Sequence, residues 1–298
     1  MKHLYRDFKN DNDNADDERT PDASAAFFEL ANAPIIAYRL PSNNNDGKIN
    51  NNNIKSTKVG SDTSFILINQ DVTACGQHTG GIVWETSFLL LEYLLHHYPN
   101  NHALGRTLEV GAGCGLLGQV LGAAGRCSEM ILTETAQVLV NLQANLERNQ
   151  AAHDTNTDDT NTDDMNNKAG NGTTFETMPT VRACCLDWEH CERDAVAAGI
   201  AKHSCDTILG TDVLFAIRFV EPLWKTLQYL SSAANTVIYL CVQIRCAASH
   251  QLFLDLAPQY QFDVQDVSSD CFAMPSCQWG RDLECFVFCI TRITTNGS

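Results

Sequence analysis

The sequence predicts an α/β fold: a doubly wound, mostly parallel sheet whose last strand runs antiparallel. Three observations predict it. From Arg106 onward, short apolar runs alternate with helix-length amphipathic segments, the pattern of parallel strands joined by right-handed helical crossovers. The first of those runs ends in closely spaced glycines, Gly111, Gly113, Gly115 and Gly118, which suits a strand turning sharply into a helix. The final two runs, Phe262 to Val267 and Glu284 to Ile290, have no helix-length connection of clear pattern between them, so they can pair antiparallel.

The elements follow in chain order. Residues Met1 to about Ser24 are polar and acidic and are expected to be disordered. Ile35-Ile36-Ala37-Tyr38 is apolar enough for an irregular strand, and Ser64 to Asn69 reads as a second. The Asn-rich stretch Ser42 to Asn53 between them cannot supply a core. After Gly76 to Gly81 comes a helix in which Trp84, Phe88, Leu91 and Leu95 form one buried stripe. The alternation then begins. Arg106 to Val110 is a strand followed by the helix Leu116 to Ala124, and Glu129 to Thr133 is a strand followed by a helix marked by Val138, Leu139, Leu142 and Leu146. Strands at Val181 to Leu186 and Cys205 to Gly210 flank a helical detour within Glu189 to His203. An amphipathic stripe of Val220, Leu223, Trp224, Leu227 and Leu230 precedes the strand Thr236 to Val242, and a short helix lies around His250 to Ala257. The tandem Thr-Asn-Thr-Asp-Asp repeat at 155–164 marks low-complexity sequence inserted in a surface loop at about 151–180. The expected organisation is an amino-terminal extension over 1–60, mostly disordered or irregular, and one domain over 61–295 carrying that insert.

Composition excludes more than it identifies. The 298 residues carry a formal net charge of −16, which argues against affinity drawn from nucleic-acid phosphates. The 13 cysteines sit mostly in apolar runs, and none forms a C-x-x-C pair, so they read as core residues in a reducing compartment. The charged stretch Met1 to Glu18 is not expected to be a secretory signal, and no apolar run reaches the ~20 residues that cross a bilayer. The expectation is a cytoplasmic or nuclear monomer with neither nucleic acid nor membrane as partner. His96-His97 reads as a solvated pair at a helix C-terminus, and His190 and Cys191 lack partners at ligand spacing, so no metal is expected.

Ligands of a doubly wound sheet bind at the carboxyl ends of its strands, and four consecutive strand ends here carry candidate chemistry. The glycine turn lacks the Gly-Lys-Ser/Thr of a P-loop, and its third glycine comes two positions after the second, not the dinucleotide spacing of three. A plain strand-to-helix turn suits the same residues. Glu134 stands about 20 residues beyond the turn, where a carboxylate can accept from ribose hydroxyls; the spacing favours that role over a helix N-terminal acid. Asp187-Trp188 offers an acceptor beside a ring able to stack, although buried tryptophans usually serve the core. Thr211-Asp212 is followed by Phe215, and Asp212 could also be a helix cap.

Taken in order, Thr79-Gly80-Gly81-Ile82-Val83-Trp84-Glu85, the turn Glu109-x-Gly-x-Gly-x-Gly, Leu132-Thr133-Glu134, Leu186-Asp187-Trp188 and Ile208 to Phe215 resemble the motifs of the methyltransferase-like protein lysine methyltransferases. These are a branch of the seven-stranded enzymes that use S-adenosylmethionine, and the resemblance runs from about Phe65 to Ile290. It implies a Rossmann-like seven-stranded sheet, S-adenosylmethionine as cofactor and a protein substrate. It also implies that Trp84, Glu109, Gly111, Ala112, Gly113, Gly115, Glu134, Asp187, Trp188 and Thr211 serve the cofactor, while Asp212 and Phe215 face the incoming amine. Two departures stand out: Glu134 replaces the more usual Asp, and Phe215 the commoner Tyr, which removes a hydroxyl.

Such a site needs little beyond alignment and desolvation, with Asp212 positioning the amine and Phe215 walling its channel. The Pro-Pro expected of a nucleic-acid amino methyltransferase is replaced by Val213-Leu214. Arginine or histidine methylation, or a scaffold that binds cofactor without catalysis, are the alternatives. The stretch Ser269 to Asp282, with Phe272, Trp279 and Arg281, is expected to be a loop shaping substrate access.

Overall fold

The computed structural model describes residues 28–40, 65–73, 79–157, 179–232 and 235–293. A short antiparallel hairpin comes first: β1 (Ile35–Arg39) pairs with β2 (Phe65–Asn69), Ile36 opposite Ile68. Helix α1 (Glu85–His97) leads into the main sheet, built by β3 (Arg106–Val110), β4 (Glu129–Glu134), β5 (Thr180–Cys185), β6 (Thr207–Thr211), β7 (Val237–Gln243), β8 (Phe262–Asp266) and β9 (Cys285–Arg292). The sheet has seven strands in the order β5-β4-β3-β6-β7-β9-β8. All pairs are parallel except β7 with β9 and β8 with β9, so the expected mostly parallel sheet with an antiparallel last strand is what forms. The strand order reverses between β3 and β6, which opens a crevice at their carboxyl ends.

Period-2 alternation divides each strand between two cores. Leu108, Val110, Ile131, Ile208, Ile238, Leu240 and Ile290 face α4 (Cys191–Ala197), α5 (Val220–Leu230) and α6 (Ala247–Leu256), with Trp224 and Phe253 stacked at 4.3 Å between ring centroids. On the other face, Met130, Leu132, Leu209, Tyr239, Cys241 and Val287 meet α1, α2 (Leu116–Ala123), α3 (Ala136–Thr157) and the hairpin.

Helix α1 differs from its expected single stripe. Trp84 is its N-cap, Trp84, Phe88 and Leu95 are half-buried, and the buried set is Thr86, Ser87, Leu89, Leu90, Leu91, Tyr93 and Leu94. The helix lies against β7 and is flanked by α2 and the turn Pro275–Cys277, so it is buried on more than one side and a single stripe underdescribes it. Helix α3 runs through Thr157, further than the expected boundary near 151; the rest of the insert, like Ser42 to Asn53 and the acidic amino terminus, lies outside the described residues. The expected loop Ser269 to Asp282 instead contains α7 (Ser268–Ala273), the turn Pro275–Cys277 and α8 (Trp279–Asp282).

Two asparagines one turn apart on α3 tie the hairpin to the sheet. Asn145 and Asn149 accept from the amides of Asn69 and Leu67 at 2.8 and 2.9 Å, and donate back to the same residues' carbonyls at 3.0 Å each. Together they supply the edge of β2 with the partners a further strand would give. Gln70, next along, accepts from the Val83 amide at 2.6 Å and fixes the segment that leads to Trp84. No helix among the described residues is long and apolar enough to cross a membrane.

Candidate active site

The crevice beside β3 holds a cavity of about 380 Å³, within the range of small-ligand sites. It is lined from the ends of β3, β4, β5 and β6 and from the segment before α1. Trp84, Gly111, Ala112, Gly113, Gly115, Glu134, Asp187, Trp188, Thr211, Asp212 and Phe215 all line it, so eleven of the twelve site residues read from the sequence converge on one space.

Its floor is the glycine turn. Gly111 has φ +64 and Gly113 φ +56, a region costly for residues with a Cβ. A Cβ at Gly111 would also come within 3.3 Å of Trp188 Cζ2 and 3.4 Å of Val213 Cγ1, so the absent side chain is what leaves the floor open. The Ala112 amide donates to Thr133 O at 3.0 Å, and buried Asn145 donates to Cys114 O at 3.1 Å, which pins the turn to β4 and α3.

Glu134, at the end of β4, reaches back over this turn. Its Oε1 accepts from the Gly113 amide at 3.0 Å and its Oε2 from the Thr135 amide at 2.8 Å. Oε2 also lies 3.5 Å from Thr135 Oγ1, so the carboxylate is held at both oxygens. One oxygen thus anchors the start of the next segment, as the helix-acid reading has it, and the other braces the glycine turn at the cavity.

Glu109 departs from expectation. It does not line the cavity. Alternation along β3 turns it to the face covered by α1, α2 and α3, beside Leu132 on one side and Leu209 on the other, and it is 1% exposed. Its Oε2 accepts from the Gly118 amide in the first turn of α2 at 3.0 Å. Burial pushes its carboxyl up to about 8, against the lowering effect of that N–H, with a small further rise from Glu134. Glu109 therefore supports the turn from beneath, and the packing of Gly118 against it leaves no space for a side chain there: a Cβ would lie 2.7 Å from Glu109 Oε2.

The far wall is aromatic. Trp188 follows β5 in a short 3₁₀ turn capped by Asp187, whose Oδ1 accepts from the Glu189 amide at 3.0 Å. Phe219 stands edge-on to Trp188 at 6.3 Å and 5.4 Å from Phe215, and the Arg218 guanidinium lies 4.5 Å from the Phe219 ring. Phe219 and Arg218 were not read from the sequence as site residues; the four-residue spacing from Phe215 to Phe219 was the available signal.

Asp212 follows β6 with φ +53, a left-handed conformation that Asp tolerates better than most residues. It is buried, and both of its oxygens are engaged: Oδ1 accepts from the Gln243 amide at 3.0 Å, and Oδ2 from Arg245 Nη2 at 2.8 Å. Burial raises its carboxyl above the usual range in spite of Arg245. Asp212 is accordingly held in a network from the end of β7. Thr211 Oγ1 lies 3.0 Å from Ser87 Oγ. Trp84 donates from Nε1 to Thr79 O at 3.0 Å and carries Arg245 4.4 Å above its ring.

The donor set fits an adenosyl sulfonium. The cavity offers the flat ring of Trp188, carboxylates of Glu134 and Asp187 that can accept from hydroxyl and amino groups, and a glycine floor open because no Cβ fills it. Among the described residues no group of His, Cys, Asp and Glu is arranged to hold a metal ion.

A family model described as "Lysine methyltransferase" matches residues 61–177 and 155–259, well over half of the chain. The protein-lysine methyltransferase METTL21E of Bos taurus is 26% identical over 192 residues, covering 64% of this chain and 56% of that protein. Its Mus musculus counterpart is 25% identical over 199 residues, covering 64% and 66%. An uncharacterized protein of Dictyostelium discoideum is 28% identical over 227 residues, covering 74% and 61%. The chain thus spans less than two thirds of the length of these curated relatives. With the family model running through the turn and on past β6 and β7, this chain belongs to the lysine methyltransferase family.

Proposed function

We propose that the protein transfers the methyl group of S-adenosylmethionine to a lysine side-chain nitrogen of a protein substrate. The observation that carries the reading is the convergence of the Gly111 turn, Glu134, Trp188 and Asp212 on one cavity, together with membership of the family. S-adenosylmethionine, when bound, supplies a methyl group already activated by its positively charged sulfur.

The chain's own residues then bind, orient and desolvate. Glu134 and Asp187 accept from the hydroxyl and amino groups of the nucleoside, and Trp188 offers its face to the base. The acidic lining suits a cationic ligand. Phe215, Phe219 and Trp84 exclude water from the acceptor side and favour a cationic amine and its methylated product. A lysine amine with a pKa of about 10.4 must arrive neutral. A desolvated passage beside a positive charge lowers that value, and the proton can leave to water, so no dedicated base is assigned. Asp212 orients the amine from the end of β6.

The test is incubation of the full chain with methyl-labelled S-adenosylmethionine and a cell lysate, followed by mapping of the label. The expected result is label on a protein lysine, lost with Asp212→Asn while cofactor affinity is kept. Label on arginine, histidine or nucleic acid would replace the acceptor assignment, and cofactor binding without transfer to any substrate would favour a scaffold.

A further inference from the structure

Arg245 has no role in the motifs that mark the site, yet it contacts three side chains at its edge. From the loop after β7 its Nη2 donates both to Asp212 Oδ2 at 2.8 Å and to Glu85 Oε1 at 2.9 Å, and its guanidinium lies 4.4 Å from the centre of the Trp84 ring. Asp212 and Trp84 line the cavity, whereas Arg245 stands behind them with its side chain 30% exposed. One cation is thus shared between two carboxylates and an aromatic face at the acceptor side. The groups that face Asp212 are Arg245 and the Gln243 amide from the end of β7, Glu85 from α1, and the buried thiols of Cys241 and Cys285. Arg245 is the only cation in this set.

We propose that Arg245 is a positioning residue of the acceptor site: it fixes the Asp212 carboxylate and leaves the Glu85, Asp212 and Arg245 cluster with one net negative charge, which admits one further cation. A planar guanidinium can bridge two carboxylates while stacked on a ring. Without it, two carboxylates would share a desolvated corner, where like charges hold each other protonated. A protonated Asp212 would have lost the charge that draws an ammonium toward the cavity. The inference rests on the acceptor assignment proposed above, so its deciding measurement needs neither methyl donor nor acceptor.

That measurement is the carboxyl carbon-13 titration of the full chain, with the Asp212 signal identified as the one absent from Asp212→Asn. Arg245→Met keeps an apolar stem over Trp84 and removes the charge; Arg245→Gln keeps a donor and removes the charge. Both should move the Asp212 midpoint upward, and Arg245→Lys should return it toward the wild-type value. In turnover with a lysine peptide, Arg245→Met should raise KM about tenfold with kcat little changed, as expected for loss of one charge-assisted contact. That KM should fall again as pH rises through the new Asp212 midpoint. An unmoved midpoint in both neutral variants would overturn the proposal. So would a lower KM in Arg245→Met, which would make Arg245 a competitor of the acceptor rather than its guide. Should the chain transfer no methyl group at all, the titration still decides what Arg245 does to Asp212.

Discussion

Glu109 Oε2 accepts a 3.0 Å hydrogen bond from the Gly118 amide beneath the glycine turn, with the carboxyl sealed from solvent and its pKa pushed up to about 8. The contact joins β3 to the first turn of α2 and so sets the depth of the turn between them. An acid there is placed to meet helix amides, but its desolvation makes the site pH-sensitive.

Glu109→Gln should therefore flatten the stability profile. The carboxyl titrates near 4.5 when exposed and near 8 when folded. Its contribution is fully present below about pH 4.5 and is lost as pH rises through 8, a cost on the order of 3 kcal/mol at pH 7. Thermal melts from pH 5 to 9 should show the wild type losing midpoint faster than Glu109→Gln as pH rises. Parallel profiles would mean that the wild-type carboxyl titrates near its ordinary value.

Gly111→Ala should leave the fold and remove the ligand site. The positive φ costs about 1–2 kcal/mol with a Cβ present, and the added methyl would stand 3.3 Å from Trp188 Cζ2, displacing the ring from the cavity wall. The expected outcome is cofactor affinity reduced at least about tenfold with circular dichroism unchanged. Wild-type affinity in this variant would show that the floor of the cavity is not where the ligand lies.

Phe215→Tyr should change kcat by less than about threefold, because the ring of Phe215 lines the cavity beside Phe219 at 5.4 Å and transfer by alignment needs no hydrogen bond from it. Phe215→Ala should raise KM about tenfold through lost ring contact with the amine. A large gain in kcat for the Tyr variant would show that the missing hydroxyl limits the proposed transfer.

Much of this was legible before the structure. Leu108, Glu109 and Val110 alternate as strand residues must, and the order of strand and helix from Arg106 onward carried the sheet. The residues clustered at strand ends were found because a doubly wound sheet brings its carboxyl ends to one crevice. Glu109 was expected at the cofactor from its place in the glycine-turn motif, which gives spacing along the chain without saying to which face of β3 the residue turns. Helices of four and six residues, Trp279–Asp282 and Ser268–Ala273, complete fewer than two turns and leave no periodic signal to read. The α1 stripe was misread because a helix covered on several sides buries more than one row of side chains. Arg245 had no local signature: its partners Asp212 and Glu85 lie 33 and 160 residues away in the chain.

The most direct test of the central claim is a calorimetric titration of the full chain with S-adenosylmethionine, with Glu134→Gln measured beside it. Saturable one-to-one binding at about micromolar Kd is expected, weakened about tenfold in Glu134→Gln, where one charged acceptor becomes neutral. A folded wild-type chain that binds no S-adenosylmethionine at millimolar concentration, or a Glu134→Gln variant that binds it as tightly as the wild type, would contradict it.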